Sequence, residues 1–296
     1  MSRVAHSKIM HILVTGLDGF TGRYVQNELE AHGHSVAGLS CDLANYEAVS
    51  AEIARIQPEA VIHLAAVAFV DHGNANAFYE VNLIGTRNLL EALVSYVPKV
   101  CGVLLVSSAN IYGNRSEGVL SEGARPDPAN DYAVSKYAME QMASLWVDRL
   151  PLFFVRPFNY TGVAQDKKFL IPKIVSHFRE KREVIELGNL DVWRDFGDVR
   201  SVAGIYRELL ESGPVGQVFN VCTGKTYSLR EVVGLCEKVT GHTIEIKVNP
   251  DFVRPNEVRV LRGDNSRLKG LIGEWRTYSM EETLRWMLQE HSIVSK

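Results

Sequence analysis

The chain has 296 residues, of which 46% are apolar and 23% are charged, and its formal net charge is −3. A chain of this size buries a large core, which excludes extended disorder and suits a two-lobed enzyme or two small domains. The near-neutral charge, without a run of lysines or arginines, gives no support for a nucleic acid or a membrane as partner. Because no signal-peptide or membrane-spanning pattern is visible, we expect a cytoplasmic protein.

The four cysteines lie far apart along the chain, at positions 41, 101, 222 and 236. No two of them have the CxxC spacing of a metal site, and the pattern gives no disulfide framework. We therefore expect reduced thiols and no bound metal.

The N-terminal half alternates short β-branched runs with amphipathic helical stretches, which is typical of a parallel sheet covered on both faces. The predicted strands are residues 11–15, 35–39, 60–64, 102–107 and 152–156, and the predicted helices are 21–32, 46–56, 77–96 and 131–150. This order predicts an α/β fold with a doubly wound parallel sheet of the Rossmann type. The first domain is predicted to comprise residues 1–158, with parts of 196–221 returning to it, and residues 159–296 form a smaller, interleaved α/β domain.

The first predicted strand and helix are joined by the turn TGLDGFTG, in which Gly16, Gly19 and Gly22 have GxxGxxG spacing around Phe20 and Thr21. Glycines at this spacing allow a tight turn, close approach of the backbone to a pyrophosphate and close packing of the helix. An ordinary strand-to-helix turn is the alternative explanation. The order strand, turn, helix at the start of the fold favours a dinucleotide.

The acidic residue that holds the adenosine ribose in many NAD sites is missing from the end of the second strand, where the chain reads Leu39, Ser40, Cys41. An adenosine 2′-phosphate is then tolerated. Arg23 could attract this phosphate, although a surface helix arginine is the more ordinary explanation. The sequence favours NADP, with NAD as the alternative.

Tyr132 and Lys136 lie four residues apart in a predicted helix and therefore share one of its faces. A nearby ammonium is expected to lower the pKa of a tyrosine and to make it a better acid-base catalyst. Ser108 follows a buried strand at the edge of the sheet where doubly wound folds bind ligands. Its hydroxyl could bond an oxygen that changes between carbonyl and alcohol.

These segments resemble the extended short-chain dehydrogenase/reductases that modify nucleotide sugars. The matching motifs run along nearly the whole chain: TGLDGFTG at 15–22, HLAA at 63–66, VNLIGTRNLLEA at 81–92, SSANIYG at 107–113, YAVSK at 132–136 and RPFNYTG at 156–162. The resemblance implies that Ser108, Tyr132 and Lys136 are catalytic, with Ser108 on the substrate and the other two also on the cofactor. It further implies an adenosine site with five contributors and a support residue, namely Asp42, Leu43, Leu64, Ala65, Ala66 and Asn82.

The C-terminal stretches LGNLDVWRDFGDVRSV at 187–202 and RPNEVRVLRGDNSRLKGLIG at 254–273 are similar to those of enzymes that handle GDP-mannose derivatives. By this resemblance the substrate is held by four residues, Asn159 and Arg194 on the diphosphate side and Arg254 and Glu257 at phosphate and ribose. Guanidinium groups suit a diphosphate, and a carboxylate suits ribose hydroxyls. Arg194 could instead form a structural ion pair with its neighbour Asp195.

Sugar 4,6-dehydratases carry an acidic residue directly after the catalytic serine or threonine, whereas this chain has Ala109 and Asn110 there. Neither side chain can titrate, so elimination of water loses its acid-base group. The expected reaction is reduction of the 4-keto group of GDP-4-keto-6-deoxy-mannose, giving GDP-rhamnose. The alternatives are a nucleotide-sugar 4-epimerase, a dehydratase-like enzyme of the GDP-mannose group and a non-catalytic NADP(H) sensor.

The sequence leaves open which face of the ketone is attacked, and therefore whether rhamnose or its 4-epimer 6-deoxytalose forms. The resemblance also implies a homodimer, built by pairing the predicted helices at 77–96 and 131–150 into a four-helix bundle.

Overall fold

The computed structural model describes residues 8–68, 74–113, 118–253 and 259–290. The elements up to residue 157 are, in chain order, β1 (His11–Thr15), α1 (Phe20–Ala31), β2 (Ser35–Gly38), α2 (Tyr46–Ile56), β3 (Ala60–His63), α3 (Ala75–Tyr79), a π-helical segment (Glu80–Gly85), α4 (Thr86–Tyr96), β4 (Gly102–Val106), a 3-10 turn (Ala109–Tyr112), β5 (Gly118–Leu120), α5 (Asp131–Ser144) and β6 (Leu152–Pro157). The elements that follow are β7 (Asn159–Thr161), α6 (Leu170–Arg179), β8 (Val184–Leu187), β9 (Trp193–Asp198), α7 (Val199–Ser212), β10 (Val218–Val221), β11 (Thr226–Ser228), α8 (Leu229–Thr240), β12 (Glu245–Val248), a 3-10 turn (Pro250–Phe252), β13 (Val260–Gly263), α9 (Ser266–Ile272) and α10 (Met280–Gln289).

The main sheet has six strands in the order β10-β6-β4-β3-β1-β2, and all of them are parallel. Strands β3 and β4 are buried at every position, as expected for strands covered on both faces. Helices α1 and α7 cover one face, and α2, α4 and α5 cover the other. The predicted doubly wound Rossmann-type sheet is confirmed.

The reversal of strand order lies between β1 and β3, whose following connections leave in opposite directions across the sheet. In open α/β sheets the crevice at the carboxyl ends of such strands is the usual ligand site. The residues that follow β1, β2, β3 and β4 are therefore the candidates for a ligand site.

The C-terminal part contains a mixed sheet in the order β11-β9-β13-β5, with β7 paired to β9, and a two-stranded ribbon of β12 and β8. Helices α6, α8 and α10 enclose a separate apolar core against these strands. The chain crosses between the parts more than once, because β10 lies in the main sheet and β5 lies in the second one. The division at residue 158 remains a prediction.

Among the described residues, no helix has both the length and the apolar character needed to cross a membrane. Within the same ranges, no three histidine, cysteine or acidic side chains come together as metal ligands would.

Candidate active site

The turn after β1 can accept only glycine at two of its positions. Gly16 has a φ of +70°, and a Cβ there would lie 3.0 Å from the backbone of Ala65. A Cβ on Gly22 would overlap the carbonyl oxygens of Gly16 and Leu17. Gly19 is the N-cap of α1 and offers no capping side chain, and the first turn of α1 carries no acidic residue. The free N–H groups of this helix end therefore face a place that suits a phosphate.

A cavity of about 250 Å³ opens beside this turn, at the carboxyl ends of β1, β2 and β3. It is lined by eight residues, Thr15, Gly16, Leu39, Cys41, Asp42, Leu43, Ala65 and Val81. The sequence placed four of these, Gly16, Asp42, Leu43 and Ala65, at the cofactor, and the structure brings all four together. A cavity lined mainly by apolar side chains, with the Asp42 carboxylate among its lining residues, suits an adenine ring.

Tyr160 is a contributor to this region that the sequence analysis did not single out. Its hydroxyl lies 2.9 Å from the Thr21 hydroxyl, and its ring stacks on Phe20 at 6.3 Å between centroids. Because Tyr160 belongs to β7, these contacts tie the start of α1 to the C-terminal part. Its place inside the motif RPFNYTG was the signal that could have found it. Arg23, two residues after Thr21, is exposed on α1.

Asn82 lies fully buried in the π-helical segment, and its amide group is used by the protein itself. It donates to the Val67 carbonyl and to the Ser135 hydroxyl, and it accepts from the Val67 N–H at 2.9 Å. Ser135 in turn donates to the carbonyl of Tyr132. Asn82 thus joins the segment after β3, where Leu64 and Ala66 lie half-buried, to helix α5. This arrangement matches a supporting residue better than a direct ligand contact.

His63 ends β3 beneath the site. One ring nitrogen lies 2.7 Å from the Thr15 hydroxyl and the other lies 2.9 Å from the Thr86 hydroxyl. Burial, with the charge of Lys136 as a smaller cause, lowers the pKa of His63 to about 3. The imidazole is therefore neutral at physiological pH and serves to fix β1, β3 and α4 relative to one another.

Ser108 and Tyr132 come together at the carboxyl end of β4. Ser108 caps the following 3-10 turn by accepting from the Asn110 N–H at 3.1 Å, and its side chain hydrogen-bonds the Tyr132 phenol. Both residues are buried, and Phe78 packs edge-on against the Tyr132 ring. A ketone oxygen placed between the two hydroxyls would find two donors.

Lys136 lies one turn further along α5 and is buried. Its ammonium donates to the Val106 carbonyl at 2.8 Å, and burial lowers the pKa of Lys136 to about 8, against the opposing charge of Glu140. Burial raises the pKa of Tyr132 to about 12, despite the hydrogen bond from Ser108. The expectation that Lys136 lowers the tyrosine pKa is thus wrong for this arrangement, because burial raises that pKa and the Lys136 ammonium donates to the Val106 carbonyl instead. A phenol held protonated is suited to give up a proton rather than to take one.

Asn159 and Arg194 lie on neighbouring strands near this edge. Asn159 follows β6, the partner of β4, and donates to the Asp195 carbonyl at 3.4 Å. It also lines a second cavity of about 360 Å³ between the two parts. Consecutive strand residues face opposite sides, so Arg194 and Asp195 diverge. The Asp195 carboxylate instead accepts from the N–H and hydroxyl of Thr223 and from the Gly224 N–H, which disfavours the ion-pair alternative.

Two predicted substrate residues, Arg254 and Glu257, lie outside the described residues. The two residues after Ser108 carry no titratable side chain, as the sequence analysis noted. Ala109 is buried and Asn110 is exposed, with its N–H used by Ser108. Neither can exchange a proton with a substrate carbon.

Comparison with known proteins shows the family to which the chain belongs. The model of the GDP-mannose 4,6 dehydratase family matches residues 39–287. The chain belongs to this family. It is thereby an enzyme of the extended short-chain dehydrogenase/reductase type, and the resemblance read from the motifs is confirmed.

Two curated relatives are similar over almost their entire length. A GDP-6-deoxy-D-talose 4-dehydrogenase of Aggregatibacter actinomycetemcomitans is 38% identical, with 96% of this chain and 99% of the relative covered. A GDP-6-deoxy-D-mannose reductase of Pseudomonas aeruginosa is 32% identical, with 94% and 96% covered. Both names describe oxidoreduction of a GDP-linked 6-deoxyhexose.

Two solved structures share the fold closely. A protein of Burkholderia cenocepacia J2315, named only provisionally as an epimerase, is 46% identical with a TM-score of 0.90, covering 94% of this chain and 96% of its own. The enzyme RMD of Pseudomonas aeruginosa, solved with NADPH, is 32% identical with a TM-score of 0.86, covering 94% and 97%. The chain is thus similar to named redox enzymes, although the family model that it matches is named for dehydratases.

Proposed function

We propose that this chain reduces the 4-keto group of GDP-4-keto-6-deoxy-mannose with NADPH. The observation that carries the proposal is the pairing of Ser108 and Tyr132 hydroxyls next to Ala109 and Asn110. The two hydroxyls can bind and protonate a ketone oxygen, while the two following residues cannot remove the C5 proton that elimination requires. The names of the two curated relatives support the same substrate class.

The glycine turn and the adjoining cavity fit a nicotinamide dinucleotide. Gly16, Gly19 and Gly22 would hold its pyrophosphate, and Asp42 and Leu43 would border its adenine. When bound in its reduced form, this cofactor supplies a hydride. We assign NADP(H) as the cofactor, with NAD(H) as the alternative, because the Pseudomonas aeruginosa structure contains NADPH and Arg23 lies beside the turn.

In the proposed reaction Ser108 donates a hydrogen bond to the ketone oxygen, and Tyr132 donates the proton that completes the alcohol. The ammonium of Lys136 stabilises the phenolate that Tyr132 then becomes. Asn159 and Arg194 bind the diphosphate side of the substrate, and Arg254 and Glu257 bind phosphate and ribose.

The pKa of Lys136 gives this scheme an expected pH dependence. The ammonium is present below pH about 8 and is lost as the pH rises through that value. Since Tyr132 stays protonated up to a pKa of about 12, the loss of the ammonium dominates. We expect kcat/KM for ketosugar reduction to fall above pH about 8. In Lys136→Arg the charge persists, so any remaining activity should lack this decline. A wild-type profile without a basic limb would contradict the assignment.

The product is proposed to be GDP-rhamnose, and the higher identity to the talose enzyme makes GDP-6-deoxy-talose the second candidate. The test is incubation of the purified chain with the ketosugar and NADPH, followed by proton NMR. Rhamnose gives a large coupling between H3 and H4, since both are axial, whereas talose gives a small one. Interconversion of two nucleotide hexoses without net cofactor use would establish an epimerase and overturn the proposal.

We also propose that residues 1–158 bind the cofactor, that 159–296 bind the nucleotide sugar, and that the chain is a homodimer. The support for a dimer is a set of exposed apolar side chains on the segments that the sequence pointed to. These are Ile84, Tyr96, Val134 and Leu145, the last with 81% of its surface exposed. Sedimentation analysis of the purified chain tests this assembly.

A further inference from the structure

The side chain of Glu52 places a carboxylate at the end of β2, although the sequence has no acidic residue at that point. Glu52, on α2, reaches back across the turn that follows β2. Its two oxygens accept from the Ser40 N–H at 3.1 Å and from the Ser40 hydroxyl at 2.7 Å. It also hydrogen-bonds the Cys41 thiol. Glu52 was missed because it is twelve residues from Ser40 and only the packing of α2 brings the two together.

Ser40, which Glu52 binds, lies next to the cavity proposed to hold the adenosine. Its neighbours Leu39 and Cys41 both line the 250 Å³ cavity that fits the adenosine. In a Rossmann site the group at the end of β2 meets the ribose 2′ position, where a carboxylate binds a 2′-hydroxyl and an arginine accommodates a 2′-phosphate. Ser40 lies between these two lining residues at the end of β2 and is exposed.

The charge on Glu52 is maintained at this place. Partial burial raises the pKa of its carboxyl, but the bonds from Ser40 and Cys41 and the nearby Arg55 outweigh burial, so the net pKa is lowered. The carboxylate is therefore ionised at neutral pH. A phosphate group near Ser40 would be repelled by the negative charge of Glu52. It would also find the Ser40 hydroxyl already donating to that carboxylate.

We propose that Glu52 limits the preference of this chain for NADPH over NADH, by competing with an adenosine 2′-phosphate for Ser40 and by accepting from a 2′-hydroxyl. This inference rests on the proposed nicotinamide site. It implies that NADPH binds with a repulsion that NADH does not feel, and that the chain retains use of both cofactors.

The test uses Glu52→Gln, which removes the charge but leaves an amide oxygen to accept from Ser40. The probes are adenosine 2′,5′-bisphosphate and AMP, which differ only in the 2′-phosphate, and their Kd values are measured by titration calorimetry at low salt. We expect the bisphosphate to bind about tenfold more tightly to the variant, as loss of one charge a few ångströms from the phosphate predicts. AMP should bind no more tightly than to the wild type. Added salt should shrink the gain, because the repulsion is screened.

Glu30→Gln is the matched control. It removes the same charge near the far end of α1, about a helix length from the turn, and should leave both Kd values unchanged. Glu52→Lys should extend the gain beyond that of Glu52→Gln, and it replaces that variant in the test if Glu52→Gln does not fold.

The possible results distinguish the role of Glu52 from the existence of the proposed cofactor site. If both probes bind the wild type and the ratio of their Kd values is the same in the Glu52 variants, the role of Glu52 is overturned and the proposed function stands. If neither probe binds the wild type, the proposed cofactor site fails and the inference fails with it. A salt-insensitive gain would mean that the substitution acts by reshaping the loop, which also overturns the inference.

Discussion

Replacing Tyr132 with phenylalanine is expected to lower kcat for ketosugar reduction by about a hundredfold or more, the range typical for loss of a general acid. The phenyl ring keeps its contact with Phe78 and fills the same buried space, so only the hydroxyl bonded to Ser108 is lost. Cofactor Kd and unfolding midpoint should change little. Steady-state oxidation of NADPH with saturating ketosugar measures the effect.

Tyr137→Phe is the matched control for this experiment. It removes a hydroxyl from the same helix, five residues further along, where the ring packs in a small apolar cluster with Ile111 and Phe158. Its kcat should stay near that of the wild type. Near-normal turnover in Tyr132→Phe, or an equal loss in both variants, would remove Tyr132 from the proposed role.

Replacing Arg156 with methionine is expected to destabilise the protein by about 3–5 kcal/mol, the usual cost of leaving one partner of a buried ion pair alone. Arg156 donates to both oxygens of Glu140 at 3.0 and 2.7 Å, and to the Tyr112 hydroxyl at 3.1 Å. Both charged side chains are less than a tenth exposed. The pair fastens β6 to α5 one turn beyond Lys136, so it also holds in place the helix that carries Tyr132 and Lys136. Urea unfolding followed by circular dichroism measures the loss.

The double variant Arg156→Met/Glu140→Leu identifies the cause. Removing both charges leaves no uncompensated carboxylate, so much of the lost stability should return. A single Arg156→Met variant that loses less than about 1 kcal/mol, the level of an exposed pair, would contradict this account.

Much of the site could be predicted because its parts follow directly from strand order. Gly16 must adopt a positive φ against Ala65, and Ser108 must follow a buried strand, so both positions are readable from local pattern. The contact between Ser108 and Tyr132 followed from the family motifs. The position of Glu52 and the stacking of Tyr160 on Phe20 depend on tertiary packing between segments far apart, which no periodicity encodes.

Two predicted helices also differ from the structure in their boundaries. The stretch at 77–96 was predicted as one helix, but the structure divides it into α3, the π-helical segment and α4. The widened turn buries Asn82, which needs its amide against Val67 and Ser135. The helix predicted to end at residue 150 ends at Ser144, where Leu145 and Trp146 bond to carbonyls three residues back and tighten the turn.

The most direct test of the central claim is to follow a deuterium label from NADPH deuterated at the transferring position of the nicotinamide. With GDP-4-keto-6-deoxy-mannose as substrate, we expect one deuterium per product molecule, located at C4 of the sugar, with equal consumption of NADPH. In a parallel reaction with GDP-mannose and NADP+, no keto product should form, because Ala109 and Asn110 cannot support elimination. Deuterium at C6, or dehydration of GDP-mannose, would contradict the account.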